Sequence, residues 1–219
     1  METFDLRQSL IFYLCLLVGF CVHEWAHAFT ADKLGDGTAR ALGRVTLNPL
    51  AHMDPLGSVG FPLVCLLLFK GAFLFAWGKP VPVNTSNFEP RLRVRNDLLV
   101  TLAGPASNLG LALLAAILGG TLAHVDQGLG HIALVFISVN VMLAVFNLLP
   151  VPPLDGSHVL RHLTRMSGET YLRLSRWGFL ILIVLLNVPV VRAAFAFALD
   201  LVMFPFVNLL VLLAGAGAS

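Results

Sequence analysis

Long apolar runs separated by short polar stretches dominate the pattern of this chain. Five of these runs are predicted to be transmembrane helices, each of which takes roughly 20 residues. They cover residues 9–29, 97–122, 132–149, 177–191 and 195–213. The pattern therefore predicts an all-α membrane protein, a polytopic helical bundle of about five to six transmembrane segments.

A sixth apolar run, residues 56–77, is ambiguous. Gly57, Gly60 and Pro62 interrupt its beginning, and Lys70 and Gly71 interrupt its end. Irregular backbone at membrane depth is tolerated only where it is packed against protein or lines a wet cavity. We therefore expect a re-entrant segment or a membrane-embedded hairpin near residues 56–84.

The composition supports an integral membrane protein. Of the 219 residues, 58% are hydrophobic and 12% are charged, whereas soluble domains carry about 25% charged residues. We expect residues 1–219 to form one membrane domain without a soluble domain, and the first run is too long to be a removable signal peptide. Basic residues lie between the runs without aromatic interleaving, which argues against a nucleic-acid partner. Cys15, Cys21 and Cys65 lack paired metal spacing and are interpreted as packing residues.

An H-E-x-x-H sequence lies within the first apolar run. On a helix, His23 and His27 lie on one face and can reach the same metal ion, with Glu24 beside them as a general base. Chance packing of two histidines is the alternative, but an ionisable residue inside a membrane is costly unless it is paired or metal-bound. The position of the motif therefore favours a metal site, and zinc would require a third protein ligand.

Asp155 is the best candidate for that third ligand. It follows the apolar run at residues 132–149, at the end of a stretch in which Pro150, Pro152 and Pro153 prevent a regular helix. Such a stretch is typical of the wall of a buried site. Alternatively, Asp155 simply caps the next helix. Spacing alone does not decide between these two interpretations.

These motifs together resemble those of the site-2 protease family of intramembrane zinc metalloproteases. The resemblance rests on HEWAH at residues 23–27 and NLLPVPPLDG at residues 147–156. It is supported by GRVTLNPLAHMDPLG at 43–57, WGKPVPVN at 77–84 and LAGPASN at 102–108. The resemblance extends over roughly residues 19–160. The chain lacks the PDZ and CBS domains of other branches, so it resembles the compact bacterial members.

The resemblance implies a role for five residues. His23, His27 and Asp155 are expected to hold one zinc ion per chain, with Glu24 as the catalytic base and Asn147 stabilising the oxyanion. It further implies a catalytic core over about residues 9–160 and accessory helices over about residues 170–216. None of the five positions departs from the family pattern.

Shared ligation by His27 and Asp155 requires that the ends of their helices face the same side of the membrane. The 56–77 run is therefore expected not to cross. With Lys70 left out as membrane-associated, eleven basic residues then face the side of the metal site and two, Arg7 and Arg192, face the other, whereas a crossing would give nine against four. The positive-inside rule thus predicts an outside N-terminus and an active site towards the cytoplasmic side of a bacterial inner membrane.

Residues Pro80, Val81, Pro82, Val83 and Asn84 are expected to lie close to this site. Prolines at alternate positions leave one edge of an extended segment able to pair with an unwound substrate. A stiff connecting loop is an equally good interpretation.

Other polar residues have weaker signals. Asn108 is interpreted as structural, with support of a metal ligand as the alternative, and His52 and Asp54 as loop anchors. His158 and His162 are assigned no special role.

The sequence therefore predicts an endopeptidase that cleaves within or next to the transmembrane segment of a protein substrate in the lipid bilayer. A transporter or channel that uses intramembrane His and Glu is the alternative from another class. A non-cleaving adaptor is less favoured because a structural zinc site needs no base. The sequence gives no indication of the oligomeric state.

Overall fold

The computed structural model describes residues 5–68 and 78–216, all of whose regular elements are helical. Among these residues, four helices are long and apolar enough to cross a membrane. In chain order, the α-helices are α1 Leu6–Lys33, α2 Thr38–Ala41, α3 Pro49–His52, α4 Phe61–Leu68, α5 Arg93–Leu122, α6 Gln127–Asn147, α7 Gly156–Leu163, α8 Gly168–Asn187 and α9 Pro189–Ala216. The four candidate spans are α1, α5, α6 and α9. The prediction of an all-α membrane bundle is confirmed.

Helices α1, α5 and α6 form the centre of the bundle, and α9 packs on α5 and α6. The core between α5, α6 and α9 combines small and branched side chains: Ala112, Ala116, Ala133, Ile137, Val141 and Leu210. Small residues let helix backbones approach closely, which replaces the hydrophobic driving force that helices lack inside lipid. The close packing of α1, α5 and α6 places polar residues of these three helices within reach of one another.

The residues that flank the 54–77 segment lie side by side. Met53 and Gly78 form an antiparallel bridge, and Lys79 N–H donates to His52 O at 2.9 Å. Residues 53 and 78, which flank the segment, therefore lie at the same end of the bundle, as the topology argument required. Helix α4 has 8 residues, which at 1.5 Å each is far short of a bilayer. The part of the hairpin prediction that concerns residues 69–77 lies outside the described residues.

The predicted span over residues 177–191 is corrected by the structure. This run is divided between α8, which already begins at Gly168, and α9, which begins at Pro189, with Val188 extended between them. A residue before proline is disfavoured in the helical conformation, which explains the break. The first half of α8 carries Glu169 and Arg173, and α8 is not among the four described helices that are long and apolar enough to cross a membrane.

The direction of α9 also corrects the position of Arg192. The ring of Phe195 lies 6.4 Å from that of Phe146 at the end of α6. At the opposite end of the bundle, the ring of His124 bonds to Leu213 O at 2.9 Å. Arg192 therefore lies at the same end as the eleven basic residues, and the count becomes twelve against one.

Candidate active site

Three potential metal ligands meet between the end of α1 and the beginning of α7. Nε2 of His23 and Nε2 of His27 lie 3.2 and 3.3 Å from Oδ2 of Asp155, and 3.0 Å from each other. Ligand atoms at about 2.0–2.1 Å from a tetrahedral zinc ion would be about 3.3 Å apart. In the described part of the chain, this is the one group of three such side chains close enough to share a metal.

The hydrogen bonds of the two imidazoles define which nitrogen faces this point. Nδ1–H of His23 donates to Oδ1 of Asn108, and Nδ1–H of His27 donates to Val100 O, both at 2.7 Å. Both partners are acceptors, so a neutral imidazole presents its lone pair at Nε2. Oδ2 of Asp155 is shielded from solvent and accepts no hydrogen bond. Three acceptor atoms that converge in this way need a cation among them, and the residues therefore fit a divalent metal.

The local fold explains why the imidazoles converge. Helix α1 continues without interruption to Lys33, so that His23 and His27 stand one turn apart on one face. On that face, α5 lies against the rings at Gly104, where an added Cβ would be 2.4 Å from Nε2 of His27. Any side chain at this position would displace the rings. Glycine therefore allows the backbone of α5 to pack directly against the two imidazoles.

Asp155 lies at the N-cap position of α7, but its side chain makes no capping bond. The sequence left capping and ligation open, and the carboxylate in fact faces the two imidazoles. Its side chain is 19% exposed, against 5% for His23 and 9% for His27. Access for water or a substrate is therefore on the Asp155 side of the cluster.

Glu24 is buried beside the two histidines and contacts the segment predicted to bind substrate. Val81 N–H donates to Oε2 of Glu24 at 2.9 Å. The other oxygen, Oε1, accepts no hydrogen bond from the residues that the structure describes. One oxygen of the carboxylate is thus held in place and the second is left for another partner.

The segment from Pro80 to Asn84 is fixed at both ends. Its beginning is held through the bond of Lys79 N–H to His52 O, and its end through Asn84 N–H, which donates to Oδ2 of Asp36 at 2.7 Å. The Asn84 side chain accepts from Ser86 N–H and takes part in the local turn. Of the five predicted residues, Val81 therefore contacts Glu24 directly, whereas Asn84 has an anchoring contact.

Asp36 organises this anchor. Its buried carboxylate also accepts from Thr38 and from Nδ2 of Asn87. Burial alone would raise the pKa of Asp36, but the hydrogen bonds from Thr38, Asn84 and Asn87 outweigh it and lower the pKa. The charged form therefore stabilises the folded loop.

Asn147 is the last residue of α6, eight residues before Asp155. Its Nδ2 donates to Leu143 O at 2.9 Å, within the same helix. The second hydrogen of that amide group has no acceptor among the described residues.

Sequence reasoning missed two sets of contacts around the site. Asn140 hydrogen-bonds to Asn108 behind His23, and its position inside an apolar run was the signal that could have found it. His162, to which no role was assigned, places Nε2 2.7 Å from Oδ2 of the buried Asp97, and Nδ1 of His158 lies 3.6 Å from the same oxygen. This contact joins α7, which follows Asp155 directly, to α5.

Comparison with known proteins shows the family. The sequence model of Peptidase family M50 matches residues 120–188. "Putative zinc metalloprotease YwhC" of Bacillus subtilis is 39% identical over 193 residues, which cover 83% of each chain. "Putative zinc metalloprotease Rip2" of Mycolicibacterium smegmatis is 38% identical over 185 residues, 82% of this chain and 67% of the relative. Rip2 of Mycobacterium tuberculosis H37Rv is 32% identical over 183 residues, with the same coverage. No solved structure matches the chain significantly.

A helical membrane bundle with an H-E-x-x-H helix and an acidic group beside its imidazoles has the architecture of a membrane metalloprotease. The chain belongs to peptidase family M50, the family of the site-2 proteases. It is a zinc metalloprotease and a membrane protein. The family favours this activity over the transporter and adaptor alternatives.

Proposed function

We propose that the chain is an intramembrane endopeptidase that hydrolyses a peptide bond within or next to a transmembrane helix of another membrane protein. One zinc ion per chain would be held by His23, His27 and Asp155. The observation that carries this proposal is the convergence of their three acceptor atoms within 3.0–3.3 Å of one another. The cluster is buried at the end of a membrane-spanning helix, where such a group is costly without a cation.

Bound zinc supplies Lewis-acid chemistry, since it polarises a scissile carbonyl and makes water more acidic. Glu24 is suited to be the base because Val81 N–H holds Oε2 and leaves Oε1 for a water molecule. After it has taken a proton from that water, Glu24 returns it to the leaving amine. Both transfers need only one well-oriented carboxylate.

Asn147 is proposed as the donor to the oxyanion. Its amide lies at the end of α6, where the chain turns towards Asp155. The hydrogen that is not bonded to Leu143 O is available to a developing negative charge. A neutral amide can stabilise this charge in a low-dielectric site without carrying a charge of its own.

Residues Pro80, Val81, Pro82, Val83 and Asn84 are proposed to bind substrate as an added strand. The segment is held at both ends and passes directly beside Glu24. Because a proline lacks an amide hydrogen, the segment can form only a partial ladder. The substrate helix must unwind first, since a continuous helix hides its carbonyls in internal hydrogen bonds. Helix-breaking residues near the cut should therefore favour cleavage.

We further propose that the site faces the cytoplasmic side of a bacterial inner membrane. Twelve basic residues at the end of the bundle that carries the site, against Arg7 at the other, support this orientation. A site at that face suits regulated intramembrane proteolysis, in which a membrane-anchored protein is cut and released. The partner is a transmembrane protein segment, reached from within the lipid bilayer.

The test is Glu24→Gln. The matched control is Glu89→Gln, because Glu89 is an exposed glutamate outside the proposed site. Each variant is co-expressed with single-span reporters that carry Gly and Pro in the membrane helix. We expect Glu24→Gln to retain zinc and lose cleavage, and Glu89→Gln to behave as the wild type. Cleavage at the wild-type rate by Glu24→Gln would overturn the assigned base.

A further inference from the structure

Two asparagines are fully buried between the three central helices, close to the metal-ligand cluster. Asn108 of α5 and Asn140 of α6 each have 0% exposed surface. Asn140 lies seven residues before the end of α6, about 10 Å along the helix. A buried amide without partners destabilises a protein. These two amides instead hydrogen-bond to one another and to their surroundings.

The hydrogen bonds run in one direction from α6 to the site. Nδ2 of Asn140 donates to Phe136 O at 2.9 Å, which turns Oδ1 of Asn140 towards α5. Nδ2 of Asn108 donates to that Oδ1 at 2.9 Å and to Gly19 O at 3.1 Å. Oδ1 of Asn108 consequently faces Nδ1 of His23 at 2.7 Å.

This pattern allows one orientation of the Asn108 amide. A flipped amide would place its oxygen against two acceptors, Oδ1 of Asn140 and Gly19 O. The observed orientation keeps the hydrogen of His23 on Nδ1 and its lone pair on Nε2, which is the tautomer that a metal requires at Nε2.

His27 obtains the same tautomer from a different kind of partner. Its Nδ1–H donates to the backbone carbonyl of Val100, which no side-chain substitution removes. His23 is therefore the ligand whose orientation depends on exchangeable side chains.

We propose that Asn108, oriented by Asn140, is the positioning residue for the metal ligand His23. The two amides couple the packing of α1, α5 and α6 to zinc affinity. The proposal rests on the proposed zinc site and adds to it the residues that set its affinity. Neither asparagine touches the metal or the substrate.

The space around the amides supports this arrangement. At Gly19, an added Cβ would lie 2.8 Å from Oδ1 of Asn140 and 3.0 Å from Cδ1 of Leu143. Real Cβ atoms essentially never come within 3.0 Å of such an atom. Gly19 thus leaves the room that the Asn140 amide occupies beside α1.

The experiment measures zinc affinity by competition with a chelating dye, on the purified full chain in nanodiscs. The variants are Asn108→Ala, Asn140→Ala and the double variant. Asn187→Ala is the control, because Nδ2 of Asn187 donates to the carbonyl four residues earlier, as that of Asn140 does, but on exposed α8. The melting temperature of the metal-free protein is measured in parallel, so that loss of packing is recorded separately.

We expect Asn108→Ala to weaken zinc binding about 10–100-fold, the range typical of partners that orient metal ligands. Asn140→Ala should weaken it less, because Asn108 keeps its bond to Gly19 O. The double variant should match Asn108→Ala, since Asn140 acts only through Asn108. Asn187→Ala should bind zinc as the wild type does.

Three results would overturn the proposal: wild-type affinity in Asn108→Ala, additive losses in the double variant, or a change confined to the metal-free melting temperature. If Asn108→Ala does not fold, Gly19→Ala tests the same contact, and it should weaken zinc binding severalfold by displacing Oδ1 of Asn140. Unchanged affinity there would also refute the proposal. A wild-type chain that binds no zinc would instead refute the proposed function, which separates the two failures.

Discussion

Adding one methyl group at Gly104 should damage the site more than its size suggests. The Cβ of Gly104→Ala would lie 2.4 Å from Nε2 of His27 and 2.6 Å from Cε1 of His23. Ordinary van der Waals contact begins at 3.4 Å, so at least one ring must move by about 1 Å. Both rings are held from behind by hydrogen bonds at 2.7 Å, which leaves them little freedom to move away.

The expected effect follows from that displacement. Metal–ligand distances tolerate changes of about 0.2 Å, several times less than the required movement. A misplacement of about 1 Å can lower a rate about 100-fold, which corresponds to about 2.7 kcal/mol. We expect Gly104→Ala to lose about two orders of magnitude in reporter cleavage and at least about tenfold in zinc affinity.

Gly110→Ala is a matched control in the same helix. An added Cβ at Gly110 meets no atom within 4 Å, and alanine is the better helix former by up to about 1 kcal/mol. Cleavage, zinc affinity and melting temperature are compared for both variants in nanodiscs. Gly110→Ala should match or slightly exceed the wild type in all three. Wild-type zinc affinity and cleavage in Gly104→Ala would show that α5 does not contact the imidazoles as described.

Three further outcomes are expected. Asp97→Asn and His162→Ala should each lower the free energy of unfolding by about 1–3 kcal/mol, because the first removes the buried carboxylate that His162 contacts and the second leaves that carboxylate without its 2.7 Å partner; additive effects in the double variant would argue against their contact. The lowered pKa of Asp36 means that its stabilisation is present above the ordinary value of 3.8 and is lost as pH falls below it. The melting temperature should therefore fall below about pH 4, and less so in Asp36→Asn; an equal fall in both would exclude Asp36 as the cause. A strong chelator should abolish cleavage and added zinc should restore it, and activity that survives verified metal removal would refute a zinc-dependent reaction.

Apolar length and helical periodicity were sufficient to predict the membrane bundle and the shared face of His23 and His27. Both depend on local physics, namely the width of the bilayer and the 3.6-residue turn. The prolines before Asp155 also indicated an irregular segment, and the structure places its carboxylate beside the imidazoles. Spacing could not show this, because capping and ligation have the same sequence pattern.

The break at Val188 could have been predicted more accurately. Hydrophobicity alone joined residues 177–191 into one span, whereas Pro189 begins a separate helix. The position of Arg192 then followed from an incorrect count of crossings. A proline inside an apolar run therefore carries more information about helix boundaries than the mean hydropathy of that run.

The sequence by itself determined four of the apolar spans and which side chains can act as ligands and base. The tertiary structure alone decided what lies behind each ligand: Asn108 and Asn140 behind His23, the Val100 carbonyl behind His27, and the Val81 amide against Glu24. The physical reason is that these helices are apolar on most sides, so their sequences do not encode which face meets which neighbour. Rotation and depth are set by close packing between helices that are far apart in the chain.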